Sequence, residues 1–182
     1  GAISITGNDV LIDIDFLPNL QSVEGDLVIF GNDVLSNLDV LQNLQTIKGG
    51  FVFQDNDAIS NFDGLQNLQS IEGALFIISS DALTNLDGLQ NLTSIVGDLT
   101  VTRNSMLSEF CGLFGLASNP PSGSIDISEN ASNPALEAIE QEGACERVLP
   151  APLTLPLLPI GYMILLGVMM IGMMSLGMRR VL

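Results

Sequence analysis

The chain repeats itself every 24 residues, and this period constrains its fold more than any other feature. Four segments, residues 13–25, 37–49, 61–73 and 85–97, align without insertion on a pattern close to Asn-Leu-Asp-Gly-Leu-Gln-Asn-Leu-Gln-Ser-Ile-x-Gly. A fixed step of this length marks a solenoid, whose coils bury their apolar side chains only by stacking on one another. The sequence therefore predicts a stack of 24-residue coils.

Seven positions of each repeat carry apolar residues in nearly every coil, and they predict the interior of the stack. The first two alternate with variable positions, which is the period of a β-strand. In the second coil the seven residues are Leu27, Ile29, Leu35, Leu38, Leu41, Leu44 and Ile47. Seven filled columns leave no room for a pore. The predicted fold class is mainly β, a single-stranded β-helix or leucine-rich-repeat-like solenoid.

Small and polar residues also recur in columns, at positions that predict the corners of the coil. A glycine precedes each main strand, where we expect a backbone with positive φ. These glycines are Gly25, Gly49, Gly73 and Gly97. An asparagine follows most main strands, and Ser80 takes its place once. Stacked asparagine side chains are expected to satisfy backbone groups in the coils above and below.

An aspartate column, formed by Asp15, Asp39, Asp63 and Asp87, precedes a short segment such as Gly-Leu-Gln-Asn-Leu in each coil. One interpretation is an N-cap on a single helical or 3₁₀ turn. The other is a cation-binding ladder, because like charges stacked at the strand spacing of ~4.8 Å repel one another. No other metal ligand set and no cofactor is predicted.

The repeat changes after the fifth coil, and the sequence predicts a closing structure there. A sixth strand is expected to point Ile125 and Ile127 inward and to place Asn130 at the corner. Asn133 and Pro134 then read as the N-cap and first turn of a short capping helix.

That helix is expected to bury Leu136 and Ile139 on one side and to end at Gly143. In an exported protein, Cys111 and Cys145 would form one disulfide that ties this cap to the solenoid, whereas two unrelated buried thiols are the alternative. The other end shows no cap, so we expect further sequence upstream of Gly1.

Charge and composition exclude several function classes. The 182 residues include 21 acids, 5 bases and no histidine, for a formal net charge of −16. Nucleic-acid binding needs clustered Lys and Arg, which the chain lacks. The absence of histidine removes most general-base, triad and zinc chemistry. Acid pairs such as Asp55 with Asp57 lie in repeating turns, where aspartate is ordinary. We therefore expect a protein that is not an enzyme.

The variable positions of the main strand form an outward face, and in three central coils this face is apolar. Contiguous exposed apolar surface usually marks a contact site. The predicted ligand-binding face consists of Val28, Phe30, Val52, Gln54, Phe76 and Ile78. Coverage by another domain, self-association and mere tolerance are the alternatives.

The last part of the chain has a different composition and predicts a membrane segment. Residues 149–159 contain four prolines and form a stiff linker after a solenoid of residues 1–148. Ile160 to Met178 is uncharged and close to the ~20 residues that span a bilayer as a helix. Arg179 and Arg180 follow, in a basic tail of residues 179–182. The positive-inside rule places this tail in the cytoplasm and the solenoid outside.

The repeat resembles the receptor L domain, a family that includes ligand-binding domains of growth factor and insulin receptors and modules of fungal and bacterial surface proteins. The resemblance covers about residues 1–133. It implies a right-handed, single-stranded β-helix with binding on a sheet face. The Pro-rich motif, apolar span and arginine pair resemble bacterial exosortase-dependent sorting signals, which implies a sorting protease as a partner. A permanent single-pass anchor is the alternative.

Together these features predict a non-catalytic recognition or adhesion module of the cell surface. It would be exported, tethered to the membrane by its C-terminal helix, and would bind a protein or glycan on the sheet face. The alternatives are a β-helical, carboxylate- and calcium-dependent enzyme acting on glycans, and a structural spacer at the surface.

Overall fold

The structure, a computed structural model, describes residues 1–17 and 19–139 and contains two parallel sheets. The strands are β1 Ile3–Thr6, β2 Ser22–Val23, β3 Leu27–Phe30, β4 Thr46–Ile47, β5 Phe51–Gln54, β6 Ser70–Ile71, β7 Leu75–Ile78, β8 Ser94–Ile95, β9 Leu99–Thr102 and β10 Ile125–Ser128. The main sheet has the order β1-β3-β5-β7-β9-β10, so each coil adds one strand beside the previous one. The predicted stack of coils is confirmed.

The register of the main sheet reproduces the sequence period. Ile3 pairs with Leu27, and Leu27 pairs with Phe51, a step of 24 residues each time. The last step is longer, because Leu99 pairs with Ile125 across two extra residues. The repeat unit of the sequence is therefore the structural coil, up to the segment that changes after Cys111.

A second, four-stranded sheet of the order β2-β4-β6-β8 lies on another side of the coils. The repeat pattern predicts one strand per coil and does not reveal this sheet. Each of its strands has only two residues and one buried side chain, Val23 in β2 and Ile47 in β4. Two residues are too few to display an alternation, so the pattern alone identified the buried position but not its conformation.

Short helical turns complete the coils. The 3₁₀ turns are Asp39–Leu41, Asp63–Leu65, Asp87–Leu89 and Cys111–Leu113, and the α-helices are α1 Phe114–Ala117 and α2 Leu136–Ile139. Helix α2 buries Leu136 and Ile139, as predicted. Its expected end at Gly143, the linker and the span Ile160 to Met178 lie outside the described residues. Within the described residues, no helix is long and apolar enough to cross a membrane.

The interior consists of the predicted columns. In the second coil all seven predicted positions are buried. In the third coil the rings of Phe53 and Phe62 pack edge to face with centroids 4.8 Å apart, which adds a directional contact to the burial. The end coils are less covered: Ile3 is only partly buried and Ile125 is 40% exposed, since each lies on a strand with a neighbour on one side only.

The glycines before the main strands are required by space and not by φ, so the expectation of positive φ is wrong. Among the described glycines, only Gly7 and Gly31 have positive φ. A Cβ added at Gly73 would lie 2.6 Å from the backbone nitrogen of Gly50, and one at Gly97 would lie 2.7 Å from that of Ala74. Neighbouring coils therefore approach backbone to backbone at this corner.

The asparagine ladder is confirmed and follows the opposite corner. Nδ2 of Asn56 donates to the carbonyl oxygens of Ile29 and Gln54, both at 2.9 Å. Its Oδ1 accepts from the backbone nitrogen and Nδ2 of Asn32, at 3.2 and 3.1 Å. Each asparagine thus closes its own turn and binds a neighbouring coil. Oγ of Ser80 accepts from the backbone nitrogen of Asn56 at 3.3 Å and donates to the carbonyl oxygen of Ile78, within its own coil, at 3.3 Å.

The aspartates of the 3₁₀ turns are not N-caps, so that interpretation is wrong. The N-cap residue of the turn at Asp63 is Phe62, which makes no side-chain capping bond. The backbone nitrogen of Asp63 donates instead to Oδ1 of Asn61 at 3.0 Å. The asparagine two residues earlier forms an Asx turn, which satisfies the first free N–H and leaves the aspartate side chain exposed.

The start of the capping helix also differs from the prediction. Helix α2 begins at Leu136 and not at Pro134. Oδ1 of Asn133 accepts from the backbone nitrogen of Asn130 at 2.9 Å, so its side chain ends the asparagine ladder and does not cap the helix. The predicted partner of Cys111, Cys145, lies outside the described residues, and their disulfide stays a prediction.

Candidate functional site: the outward face of the main sheet

The structure brings the six predicted face residues together on three adjacent strands. Val28 pairs in register with Val52, and Val52 with Phe76. A second row joins Phe30, Gln54 and Ile78 in the same way. At ~4.8 Å between strands and ~3.3 Å per residue along them, the Cα positions of the six residues span about 10 by 7 Å. We call these six residues the apolar patch.

The apolar patch is less exposed than isolated side chains would be. Phe30 is 37% exposed, and the other five residues are half-buried. Their cross-strand neighbours stand only one strand spacing away and cover each other's flanks. The result is a continuous, self-packed apolar surface rather than six separate side chains, and such a surface loses little side-chain entropy when a ligand covers it.

Polar residues limit the patch at both ends of the sheet. On β1 the outward residues are Ser4 and Thr6, whose hydroxyl oxygens lie 2.9 Å apart. On β9, Thr100 stands in register with Phe76, Thr102 is buried, and Asp126 follows in register with Thr100. The apolar surface is therefore confined to the second, third and fourth coils.

Carboxylates border the patch where strands enter and leave it. Oδ1 of Asp26 accepts from the backbone nitrogen of Gly50 at 2.7 Å, and Oδ1 of Asp98 accepts from that of Ser124 at the same distance. At the strand exit, Nε2 of Gln54 donates to Oδ2 of Asp55 at 3.1 Å. These bonds fix the carboxylates at the edges of the patch.

A second aspartate column, which was not among the predicted site residues, lies just beyond the strand exits. It is formed by Asp9, Asp33, Asp57 and Asp81, spaced by 24 residues. The backbone nitrogen of Asp81 donates to Oδ1 of Asp57 at 3.0 Å. The constant spacing of 24 residues could have revealed this column in the sequence. These four aspartates are exposed in the turns that follow the main strands.

Both basic side chains of the described residues are engaged by acids. Nζ of Lys48 lies 2.6 Å from Oε2 of Glu24, and Nε of Arg103 lies 2.8 Å from Oε2 of Glu129. The hydrogen bond from Lys48 lowers the pKa of Glu24, and the same bond raises the pKa of Lys48. This exposed pair is thus fully charged at neutral pH. Its stabilising effect is lost as the pH falls through the lowered pKa or rises through the raised one.

The four aspartates of the predicted cation ladder do not form a cluster that could bind a metal ion. Asp15, Asp39, Asp63 and Asp87 are exposed and lie one per coil, away from the main strands. In the ranges 1–17 and 19–139, no group of three or more acidic or cysteine side chains is arranged to hold a metal ion. A calcium effect on stability remains the direct test of this hypothesis.

Comparison with known proteins gives one match. A family model described as Receptor L domain matches residues 1–62 of the 182. This segment is receptor L-domain-like, and the match indicates a ligand-binding recognition module. Neither the comparison with curated proteins nor that with solved structures found a match. The matched segment includes β3 and β5, which carry Val28, Phe30, Val52 and Gln54.

Proposed function

We propose that the protein is a non-catalytic recognition module of the cell surface that binds its ligand on the apolar patch. One observation carries the proposal: the sheet of a receptor L-domain-like solenoid presents a continuous apolar surface on three strands whose register is fixed. Contiguous apolar surface with a polar border is typical of contact sites.

Binding is favoured over catalysis because the patch holds no reactive group. Its six residues are five apolar side chains and one amide, and the carboxylates lie at its border in hydrogen bonds to backbone groups. General acid–base chemistry needs a titratable group within hydrogen-bond reach of the substrate. Shape and apolar contact are what this surface offers.

The proposed site is tested by changing Phe30 and Phe76 together to Ser in the full chain. Both phenylalanines lie on the outward side, so we expect the double variant to lose ligand binding with little loss of melting temperature. The matched control changes Phe16 and Phe114 to Ser, because these are exposed phenylalanines outside the main sheet.

Surface capture by a cell lysate or glycan array, followed by affinity measurement for the captured molecule, gives the readout. Wild-type affinity in the Phe30 and Phe76 double variant, together with a lower melting temperature, would assign these residues to folding and not to binding.

We further propose that the module is exported and held at the cell envelope by its C-terminal segment. The apolar stretch from Ile160 to Met178 and the following Arg179 and Arg180 support this location. Intact-mass measurement of the protein from its host tests it. A mass that ends between residues 150 and 160 indicates a cleaved sorting signal, a full-length mass in the membrane fraction indicates an anchor, and a full-length mass in the soluble fraction refutes both.

A further inference from the structure

We infer that the partner of the apolar patch is a protein surface that combines apolar side chains with Lys or Arg. This inference rests on the proposed function and adds the chemical class of the ligand. It follows from the size of the patch, from the charges around it and from the ion pairs that the basic residues already form.

The apolar patch is too small to be a whole interface. Its six residues span only about 10 by 7 Å between Cα positions, whereas a specific protein interface covers about 800 Å² on each partner. Most of the footprint of any protein centred on Val52 must therefore fall on the residues that border the patch. The chemistry of that border decides which partners can bind.

Carboxylates lie at the two sides of the patch where the strands begin and end. Asp26 stands at the entry of β3, Asp55 at the exit of β5, and Asp98 one strand further along, at the entry of β9. A partner that covers carboxylates without bringing positive charge leaves them desolvated and unpaired, which is strongly unfavourable. Lys or Arg side chains placed around an apolar centre would satisfy them.

An acidic ligand is disfavoured, because the basic side chains of the described residues are already paired with acids. Arg103 lies at the exit of β9 but is held by Glu129, and Lys48 is held by Glu24. The described residues carry 18 acids and 2 bases, a formal charge of 2 − 18 = −16. A second copy of the chain would bring the same acidic border onto this one, so self-association through the patch is disfavoured as well.

The test selects ligands without assuming their identity. A random 12-residue peptide library on phage is panned against the immobilised full chain, and against the variant in which Phe30 and Phe76 are Ser. We expect the peptides enriched on the wild-type protein alone to combine aromatic or aliphatic residues with a net positive charge. One enriched peptide is then synthesised, and its affinity is measured by fluorescence anisotropy.

Two triple variants with equal charge separate a local effect from a general one. Asp26, Asp55 and Asp98 are changed to Asn at the border of the patch, and Asp39, Asp63 and Asp87 are changed to Asn on the 3₁₀ turns. We expect the border variant to weaken peptide binding about tenfold at low salt, and the remote variant to weaken it less than about twofold because of screening over about 10 Å.

Each outcome discriminates between the two levels of the proposal. Enriched peptides that are neutral or acidic, or equal losses in both triple variants, would overturn the inferred partner class while the binding face stands. No peptide enrichment on the wild-type protein would likewise overturn the partner class alone, whereas basic apolar peptides that bind equally well to the Phe30 and Phe76 double variant would overturn the proposed binding face. Circular dichroism of each variant confirms that it has kept its fold.

Discussion

The asparagine ladder provides the sharpest test of how the coils are held together. Asn56 is completely buried and makes four hydrogen bonds through its side chain. Changing Asn56 to Ala removes all four at once. The carbonyl oxygen of Ile29 and the backbone nitrogen of Asn32 lie in the dry interior, where no water replaces the lost partner.

The expected cost follows from these bonds. A typical hydrogen bond contributes about 1 kcal/mol net, and a buried group left without its partner costs about 1–3 kcal/mol. Four lost bonds therefore predict a decrease of about 4 kcal/mol in the free energy of unfolding. At about 3 °C per kcal/mol for a domain of this size, the melting temperature should fall by roughly 12 °C.

Urea unfolding followed by circular dichroism measures the change directly. Two control variants are expected to lose less stability. Asn56→Ser should lose less, because Ser80 shows that a hydroxyl at this position still accepts a bond from the neighbouring coil. Asn8→Ala should also lose less, since Asn8 is exposed at the end of the ladder. A loss below about 1.5 kcal/mol for Asn56→Ala, or equal losses at Asn8 and Asn56, would refute the argument that burial makes the ladder stabilising.

Three further predictions address other contacts between coils. Gly88→Ala should lower the free energy of unfolding by about 3 kcal/mol or more, because the new Cβ would overlap the carbonyl oxygen of Phe62, whereas Gly1→Ala has open space and should change nothing in the same urea titration. Ser80→Asn should stabilise the protein by about 1–2 kcal/mol by restoring the missing rungs, and an unchanged urea midpoint would show that the site does not admit the larger side chain. Lys48→Glu should lower the melting temperature at low salt, because it stacks three acids in one column between Glu24 and Glu72, and the loss should shrink in 0.5 M NaCl; a salt-independent loss would point to packing instead.

The interior and the strand register were predictable from the sequence, because both depend only on the same type of residue recurring every 24 positions. Each inward column, such as Leu41 and Leu65, repeats every 24 residues, and hydrophobic burial tolerates no polar substitute there. On β3, β5 and β7 the predicted outward positions alternate with the buried ones for the same reason, since a strand fixes both faces at once. The position of the apolar patch followed from that assignment.

The corners were less predictable, because several conformations suit the same residue types. Gly73 was assigned to a positive φ, yet its role is to allow backbone contact with Gly50, which no single coil reveals. Asp63 was assigned as an N-cap, yet Asn61 forms the Asx turn. Both choices depend on the neighbouring coil or on a register shift of one or two residues, and the sequence pattern does not resolve either.

The serine in the ladder has a mechanical consequence. The ladder residues make three hydrogen bonds between the second and third coils, one between the third and fourth, and two between the fourth and fifth. The fourth coil, which carries Phe76 and Ile78, is thus joined to both neighbours by fewer rungs than other coils. Under tension along the stack, we expect this coil to separate from its neighbours first. A pull transmitted through a bound partner would therefore separate the strands of the apolar patch before the other strands of the main sheet.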